Sequence, residues 1–158
     1  MNIRKYHPDD CAKMARLFYD TVHTVCKKDY TEKQLAAWAT GTVDMIAWNR
    51  SFLQNTSLVV TADDGALLAF GDMDDTGYLD RLYVHKDHQN EGIATKIVAQ
   101  LEKSAADRGT QMMTTYASLT AKNFFEARGY QVTQAHTALC GGESLSNFRM
   151  QKRLYGND

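Results

Sequence analysis

The sequence predicts a single α/β domain in which helices flank a mixed, twisted sheet of six or seven strands. Amphipathic helical segments come before any substantial strand, three β-rich segments joined by tight turns follow, and a helical crossover then leads to another strand. Such a crossover places the new strand parallel to the one before it. The 158 residues are near the usual size of one domain. No linker composition interrupts them, so we expect one domain over residues 1–158.

The first predicted helix follows a short edge strand at residues 3–6. Pro8 suits a first helical turn, because its ring holds φ near the helical value. An apolar stripe then runs from Cys11 to Val25 at the spacing of one helix face. This stripe predicts a helix that continues to about Lys27.

Two shorter helices are predicted from their amino-terminal caps. Residues 31–34 have the Thr-x-x-Gln pattern of a capping box and open a second helix, which Gly41 is expected to end. Asp44 is expected to cap a third helix. The inward-facing residues of that third helix are predicted to be Met45, Trp48 and Phe52.

Three antiparallel strands are predicted where the sequence becomes β-rich. They occupy residues 57–62, 66–73 and 77–84, and the sequences Asp-Asp-Gly and Asp-Asp-Thr-Gly between them are typical of tight turns. The pattern favours a meander that delivers the chain to a polar turn.

The polar turn opens a long helix in a way that suits an anion. From Ile93 the apolar residues recur every four positions to Ala105, with Gly92 immediately before them. The unpaired N–H groups of a first helical turn and the helix dipole attract anions, and glycine lets an anion approach the backbone. The amides of residues 89–94 are therefore candidates for cradling a phosphate. The alternative is that Gly92 only eases the chain into the helix.

The carboxy-terminal part is predicted to be a strand, a helix and a hairpin. Residues 111–117 form a fifth strand, parallel to the fourth. Ser118 is expected to cap a helix over residues 119–128, which Gly129 ends. The closing hairpin comprises residues 130–139 and 146–154.

Composition excludes several other classes of protein. Eighteen basic and 19 acidic residues leave a formal charge of −1, which predicts no nucleic-acid or membrane surface held by bulk charge. No apolar run approaches a membrane span, and we expect a cytoplasmic location. Cys11, Cys26 and Cys140 are odd in number and share no C-x-x-C spacing, so we expect neither a disulfide framework nor a metal site. The sequence leaves formation of a homodimer open.

Two motifs carry a resemblance to a known family. Residues 89–94 read Gln-Asn-Glu-Gly-Ile-Ala after a strand that ends Leu-Tyr-Val at 82–84, and residues 118–130 read Ser-x-x-Ala-x-x-Phe-Phe-x-x-x-Gly-Tyr. The first resembles the Gln/Arg-x-x-Gly-x-Gly/Ala pyrophosphate turn of the GCN5-related N-acetyltransferase (GNAT) family. The second is similar to that family's Asn-x-x-Ala-x-x-Phe-Tyr-x-x-x-Gly-Phe, and the order of elements matches over nearly the whole chain. Residues 30–38 and 117–122 resemble segments of the YafP-like subgroup.

The resemblance implies that acetyl-CoA is the cosubstrate and that the product is an N-acetylated amine. In this family the fourth and fifth strands separate, which implies that backbone groups of Leu82, Tyr83 and Val84 pair with the pantetheine arm like an added strand. Ser118 replaces the family's Asn and is expected to hydrogen-bond the cofactor. The remaining cofactor-binding residues are predicted to be Gln89, Asn90, Glu91, Gly92, Ile93, Ala94 and Thr95. A carboxylate near a pyrophosphate weakens binding, unless Glu91 points away.

Asp80 is the candidate general base. Strand alternation places it on the face shared by Tyr78 and Leu82, near the point of separation. The alternatives are a structural ion pair or exposure to solvent. The family often protonates the leaving thiolate with a Tyr at the position of Phe125, whose ring cannot donate. Tyr116 is the substitute proton donor. Water is the alternative donor, because the thiolate of a thiol with a pKa of about 8.5 is a fair leaving group.

The acceptor amine is less constrained by the sequence. Tyr30, Trp38 and Tyr78 are the predicted substrate-binding residues, although Trp38 also suits a core position. Four Asp residues crowded between 72 and 80 favour a cationic amine, but turn-forming Asp explains three of them equally well. A polyamine, an aminoglycoside, an amino acid and a peptide amino terminus all remain open.

We expect direct attack by the amine in a ternary complex, because none of the three Cys residues is predicted to lie in the site. The alternative is a catalytically inactive acyl-CoA-binding sensor or interaction module, which Phe125 at the usual acid position keeps open.

Overall fold

The structure is a computed structural model that describes residues 1–154. Over those residues, seven strands form one mixed sheet in the order β1-β2-β3-β4-β5-β7-β6. The strands are β1 (Asn2–Lys5), β2 (Thr56–Thr61), β3 (Leu67–Met73), β4 (Tyr78–Val84), β5 (Met112–Ser118), β6 (Gln131–Cys140) and β7 (Glu143–Arg153). The helices are α1 (Cys11–Val25), α2 (Glu32–Trp38), α3 (Met45–Gln54), α4 (Ile93–Asp107) and α5 (Lys122–Ala127). The predicted fold class is confirmed, as is the parallel pairing of β4 with β5.

The helix starts follow from the predicted caps. The Thr31 hydroxyl accepts the Gln34 N–H at 3.2 Å, and the Gln34 side-chain oxygen accepts the Thr31 N–H at 2.8 Å. The Asp44 carboxylate accepts the Ala47 N–H at 3.0 Å. These bonds satisfy first-turn N–H groups that have no intrahelical partner, so both helices begin where short polar side chains stand.

Three local predictions were wrong. Helix α2 ends at Trp38 with its cap at Ala39, before Gly41. Met45 is the first residue of α3 and is 39% exposed rather than inward. Helix α5 begins at Lys122, because the Ser118 hydroxyl and carbonyl both accept the Ala121 N–H and hold the intervening residues in a turn.

The sheet separates two hydrophobic cores. Helices α4 and α5 pack on one face, around Ile97, Leu101, Met113, Phe125 and Met150. Helices α1 to α3 pack on the other, around Met14, Val22, Phe52, Val59 and Phe70. No helix within residues 1–154 has the length and apolar character needed to cross a membrane.

Strands β4 and β5 pair at only two positions. Tyr78 is opposite Thr114, and Leu79 is opposite Thr115. The Thr115 hydroxyl also donates to the Leu79 carbonyl at 2.9 Å, which closes this short contact. Beyond it the ladder stops, so the sheet opens between the carboxyl ends of the two strands.

Candidate active site

A groove of about 940 Å³ lies where β4 and β5 separate. It extends from the amino terminus of α4 to the β6–β7 hairpin. It is lined by most of the predicted site residues: Tyr30, Trp38, Asp80, Leu82, Tyr83, Val84, Gln89, Asn90, Gly92, Ile93, Ala94, Thr95, Tyr116 and Ser118. Glu91 and Tyr78 do not line it.

The turn before α4 leaves its backbone open to the groove. Gly92 caps the helix with φ of 79°, and no heavy atom would lie within 4 Å of a Cβ there. Asn90 also has a positive φ, of 61°. The first helical bond runs from the Lys96 N–H to the Gly92 carbonyl at 3.2 Å. The amides of residues 93–95 therefore have no intrahelical acceptor, and they lie at the positive end of the helix dipole.

Gln89 holds this turn against the end of β4. Its side-chain amide donates to the carbonyl oxygens of Val84 at 2.7 Å and His85 at 3.3 Å. The Thr21 hydroxyl donates to the same Val84 oxygen at 2.9 Å. The side-chain amide nitrogen of Gln89 is thus a support for the turn.

Two charged side chains flank the turn. The Glu91 carboxylate does not line the groove and lies 3.2 Å from the ring nitrogen of His88, which does, so an imidazole stands beside the carboxylate that was expected to repel an anion. Arg128, at the end of α5, donates to the Thr95 hydroxyl at 3.3 Å. Arg128 was not predicted as a site residue, because no local sequence pattern connects the end of one helix with the start of another.

Fewer backbone groups of β4 are free to pair with an added strand than the resemblance implied. The His85 N–H donates to the Leu68 carbonyl, and hydrogen-bonded positions alternate along an antiparallel ladder. The backbone of Tyr83 therefore pairs with Phe70 of β3, and its ring packs in the α1-side core. Leu82 and Val84 face the opening, but the Val84 carbonyl is already occupied. The groups left for an added strand are both backbone groups of Leu82 and the N–H of Val84.

Asp80 stands at a bulge in β4. Asp72 pairs with Arg81 and Met73 pairs with Leu79, so Asp80 is an extra residue without a partner on β3. Simple alternation, on which its predicted direction rested, does not hold across a bulge. Its carboxylate lines the groove, is 41% exposed and lies 3.7 Å from the Arg81 guanidinium. Burial raises the pKa of Asp80 above its ordinary value, although Arg81 opposes the rise.

The other Asp residues of this region have structural roles. Asp72 is fully buried, and its carboxylate accepts hydrogen bonds from Arg81 and from Asn55 at 2.9 Å. Asp74 accepts two backbone N–H groups of its own turn. Of the four Asp residues between 72 and 80, Asp80 is the one that lines the groove. The crowding of acidic residues is therefore weaker support for a cationic substrate than the sequence indicated.

Tyr116 brings a phenol to the groove, and Phe125 does not. Tyr116 is 42% exposed, and its ring contacts those of Tyr78 and His136 with centroids 6.1 and 4.7 Å away. Phe125 is 3% exposed and packs against Tyr130. Tyr78 lies behind Tyr116, and burial together with Asp80 raises its pKa to about 12, which keeps it protonated at neutral pH. Tyr78 itself does not line the groove, and the groove-lining residue that its ring contacts is Tyr116.

Tyr30 ties the helical cover of the groove to the sheet. Its hydroxyl donates to the Ser146 carbonyl at 2.7 Å and accepts the Leu119 N–H at 2.9 Å. The Trp38 ring packs against it with centroids 5.4 Å apart. The one donor of the Tyr30 hydroxyl is committed to Ser146 and the oxygen already accepts from Leu119, so the geometry favours a positioning role.

Two of the three thiols line the groove, contrary to the prediction. Cys26 and Cys140 are both part of its wall. Burial raises the pKa of the Cys26 thiol, and the Cys140 thiol donates to the Ala37 carbonyl at 3.0 Å. A thiol is nucleophilic as its thiolate, so the raised pKa disfavours Cys26 as a nucleophile. No cluster of three potential metal-binding His, Cys, Asp or Glu residues exists within residues 1–154.

The chain is similar to known acetyltransferases in sequence and in structure. The family model of the acetyltransferase (GNAT) domain matches residues 26–154. The N-acetyltransferase YafP of Escherichia coli strain K12 is 26% identical over 151 residues, which are 96% of this chain and 95% of YafP. A GCN5-related N-acetyltransferase from Rhodopseudomonas palustris is 32% identical, with a TM-score of 0.92 over 96% of this chain and 94% of its own. YncA of Salmonella typhimurium, solved with its cofactor acetyl-CoA, is 22% identical, with a TM-score of 0.71 over 100% and 96%.

Proposed function

Because this chain belongs to the GNAT family of acetyltransferases, we propose that it transfers the acetyl group of acetyl-CoA to a primary amine. The amine attacks directly, in a complex that holds both substrates. The observation that carries the proposal is the opening between β4 and β5, which leads to the uncapped first turn of α4.

The backbone around the opening suits the diphosphate and the arm of acetyl-CoA. The amides of residues 93–95 and the dipole of α4 bind the pyrophosphate, and the open space at Gly92 admits it. The free backbone groups of Leu82 and Val84 pair with the amides of the pantetheine arm. Arg128 adds a positive charge beside Thr95.

Asp80 accepts the proton that the acceptor must lose. A primary amine is protonated at neutral pH, and only its neutral form has the lone pair that forms the new N–C bond. A carboxylate with a raised pKa binds a proton more readily than an ordinary one. Asp80 takes this proton directly or through one water molecule.

Tyr116 supplies a proton to the leaving sulfur. As the N–C bond forms, the C–S bond breaks and its electron pair stays on sulfur. Tyr116 lines the groove near the carboxyl end of β5 and carries a phenol, whereas the ring of Phe125 has no proton to give. The proton from the amine and the proton to the thiolate balance, so the products are an amide and free CoA.

A thiol-release assay separates this activity from an inactive acyl-CoA-binding module. The chain is mixed with acetyl-CoA and a panel of primary amines, and free CoA is measured beside CoA affinity by calorimetry. We expect CoA to bind and thiol release to depend on the amine. Binding without release on any amine would favour the module, and absence of CoA binding would contradict both. A cytoplasmic location and a homodimer remain predictions.

A further inference from the structure

The ring of Tyr116 packs against a histidine from β6, the strand at the edge of the sheet. The rings of Tyr116 and His136 have centroids 4.7 Å apart and planes inclined at 48°. Tyr116 is opposite Arg149 in the β5–β7 ladder. His136 is opposite Asn147, which is two residues from Arg149 along β7. Opposite residues and alternate residues of a strand point to the same face, so Tyr116, Asn147 and His136 share one face of the sheet.

A hydrogen bond fixes the orientation of the His136 ring. Its Nδ1 atom lies 2.8 Å from the side-chain oxygen of Asn147. An amide oxygen only accepts hydrogen bonds, so Nδ1 carries a proton and donates it. Asn147 belongs to β7, which lies between β5 and β6 in the sheet. The three side chains therefore form a continuous series of contacts, in which Asn147 holds His136 and His136 packs on Tyr116.

Tyr116 needs this support because its side chain is 42% exposed. An exposed aromatic side chain can occupy several rotamers, and they place its hydroxyl at different points of the groove. Contacts between aromatic rings favour particular geometries and so restrict this freedom. The second ring in contact with Tyr116 is that of Tyr78, whose centroid is farther away, at 6.1 Å. The nearer contact, and the one fixed by a hydrogen bond to a neighbouring strand, is that of His136.

We infer that His136 is a positioning residue for acetyl transfer, which holds the Tyr116 hydroxyl where the leaving sulfur accepts its proton. The inference rests on the proposed function, in which Tyr116 is the acid. Tyr116 lines the groove and His136 does not, so His136 acts through the ring of Tyr116 rather than on the substrates. A proton donor that is already oriented raises the rate of the chemical step, and it leaves the binding of acetyl-CoA unchanged.

The test compares the loss of His136 with and without the phenol. His136→Ala is made in the parent and in Tyr116→Phe, and kcat is measured by thiol release. In the parent we expect kcat to fall about tenfold with the KM of acetyl-CoA unchanged, because the hydroxyl is no longer held in place. In Tyr116→Phe no hydroxyl remains to be positioned, so the same change should alter kcat by less than about twofold. A residue that only supports the sheet would lower kcat equally in both backgrounds.

Further variants separate the ring contact from the hydrogen bond. His136→Gln can still donate to Asn147 but has no ring, so we expect it to behave like His136→Ala. His136→Phe retains a ring against Tyr116 and should recover part of kcat. Thr137→Ala is the control, because Thr137 is the exposed neighbour on the other face of β6, and it should leave kcat unchanged. Thermal unfolding of each variant shows that it is folded.

The outcomes distinguish this inference from the proposed function. An unchanged kcat in His136→Ala and His136→Gln, or equal losses with and without the Tyr116 phenol, would overturn the positioning role alone. Absence of thiol release from the parent with every amine would overturn the proposed acetyl transfer as well. A loss of kcat that depends on the phenol would support both.

Discussion

The guanidinium of Arg128 donates to the hydroxyl of Thr95 across 3.3 Å, joining the end of α5 to the first turn of α4. The contact places a cation where the α4 dipole is already positive. Arg128 also caps the carboxyl end of α5, and an anion bound at the first turn of α4 would lie close to its charge. We therefore regard Arg128 as part of the phosphate site, although it is distant from the glycine turn in sequence.

Removal of Arg128 is expected to weaken coenzyme binding selectively. Arg128→Ala should lower CoA affinity about five- to tenfold, because one charge-assisted contact at a half-exposed site is lost. Calorimetric titration with CoA, dephospho-CoA and pantetheine shows which phosphate is involved. Lys103→Ala, at an exposed position farther along α4, is the control. An unchanged affinity in Arg128→Ala would exclude the contact.

Gly92 allows the charge at the turn to be tested separately from backbone strain. Asn and Asp have nearly the same shape, and both tolerate a positive φ better than other side chains do. Gly92→Asn and Gly92→Asp should therefore lose similar stability, since both must adopt φ of 79°. We expect Gly92→Asp to bind CoA at least about tenfold more weakly than Gly92→Asn, because its carboxylate faces the pyrophosphate. Equal affinities would show that no anion binds at this turn.

The sequence was sufficient for the features that local chemistry controls. Helix α2 begins at Glu32 because the hydroxyl of Thr31 caps its first turn, and the Gly92 turn could be located because strand, glycine and helix are contiguous. Local pattern also predicted the parallel pairing of β4 and β5, since a helical crossover permits little else.

Features that depend on distant partners could not be predicted in this way. The bulge at Asp80 exists because Asp72 pairs with Arg81, and nothing in the β4 sequence marks it. Cys26 enters the groove wall only because the cover formed by α1 and α2 lies over the opening. The same cover commits the hydroxyl of Tyr30 to two backbone groups, which a sequence-based assignment to substrate binding could not foresee.

The pH dependence of the reaction should identify Asp80 as the base. As pH falls through its raised pKa, Asp80 becomes protonated and cannot accept a proton, so kcat/KM falls on the acid side. Asp80→Asn should lower kcat about 100-fold or more at neutral pH and remove this acid limb. The affinity for acetyl-CoA should stay the same. A parental rate across the pH range would show that another group is the base.

Asp80→Asn should also stabilise the fold at neutral pH. A carboxyl whose pKa is higher in the folded than in the unfolded state is destabilising once it ionises. The variant should therefore unfold at a higher temperature than the parent at pH 7. This difference should disappear as pH falls below the ordinary Asp pKa of about 4, where the carboxyl is protonated in both the folded and the unfolded state. Thermal unfolding across that range measures it, and a lower stability at pH 7 would contradict the sign of the shift.

The buried pair of Asp72 and Arg81 should be the main electrostatic support of β4. Asp72→Asn leaves a guanidinium that is only 14% exposed without its counter-charge, which costs about 3–5 kcal/mol of folding free energy. Asp75→Asn is the control, because Asp75 is 93% exposed and lies 3.8 Å from Arg108. It should change stability by less than about 0.5 kcal/mol. Denaturant unfolding of both variants distinguishes them, and similar midpoints would remove the structural role of Asp72.

The group that protonates the leaving thiolate can be identified by removing the phenol at position 116 and introducing one at position 125. Tyr116→Phe should lower kcat about 100-fold with little change in the KM of acetyl-CoA, because it removes a proton donor and keeps the ring contacts with Tyr78 and His136. Phe125→Tyr in that background restores a hydroxyl at the position where the family often has one. Partial recovery of kcat would show that the thiolate accepts a proton from either wall. Unchanged kcat in Tyr116→Phe itself would mean that water protonates the sulfur, because the groove is open to solvent beside β5.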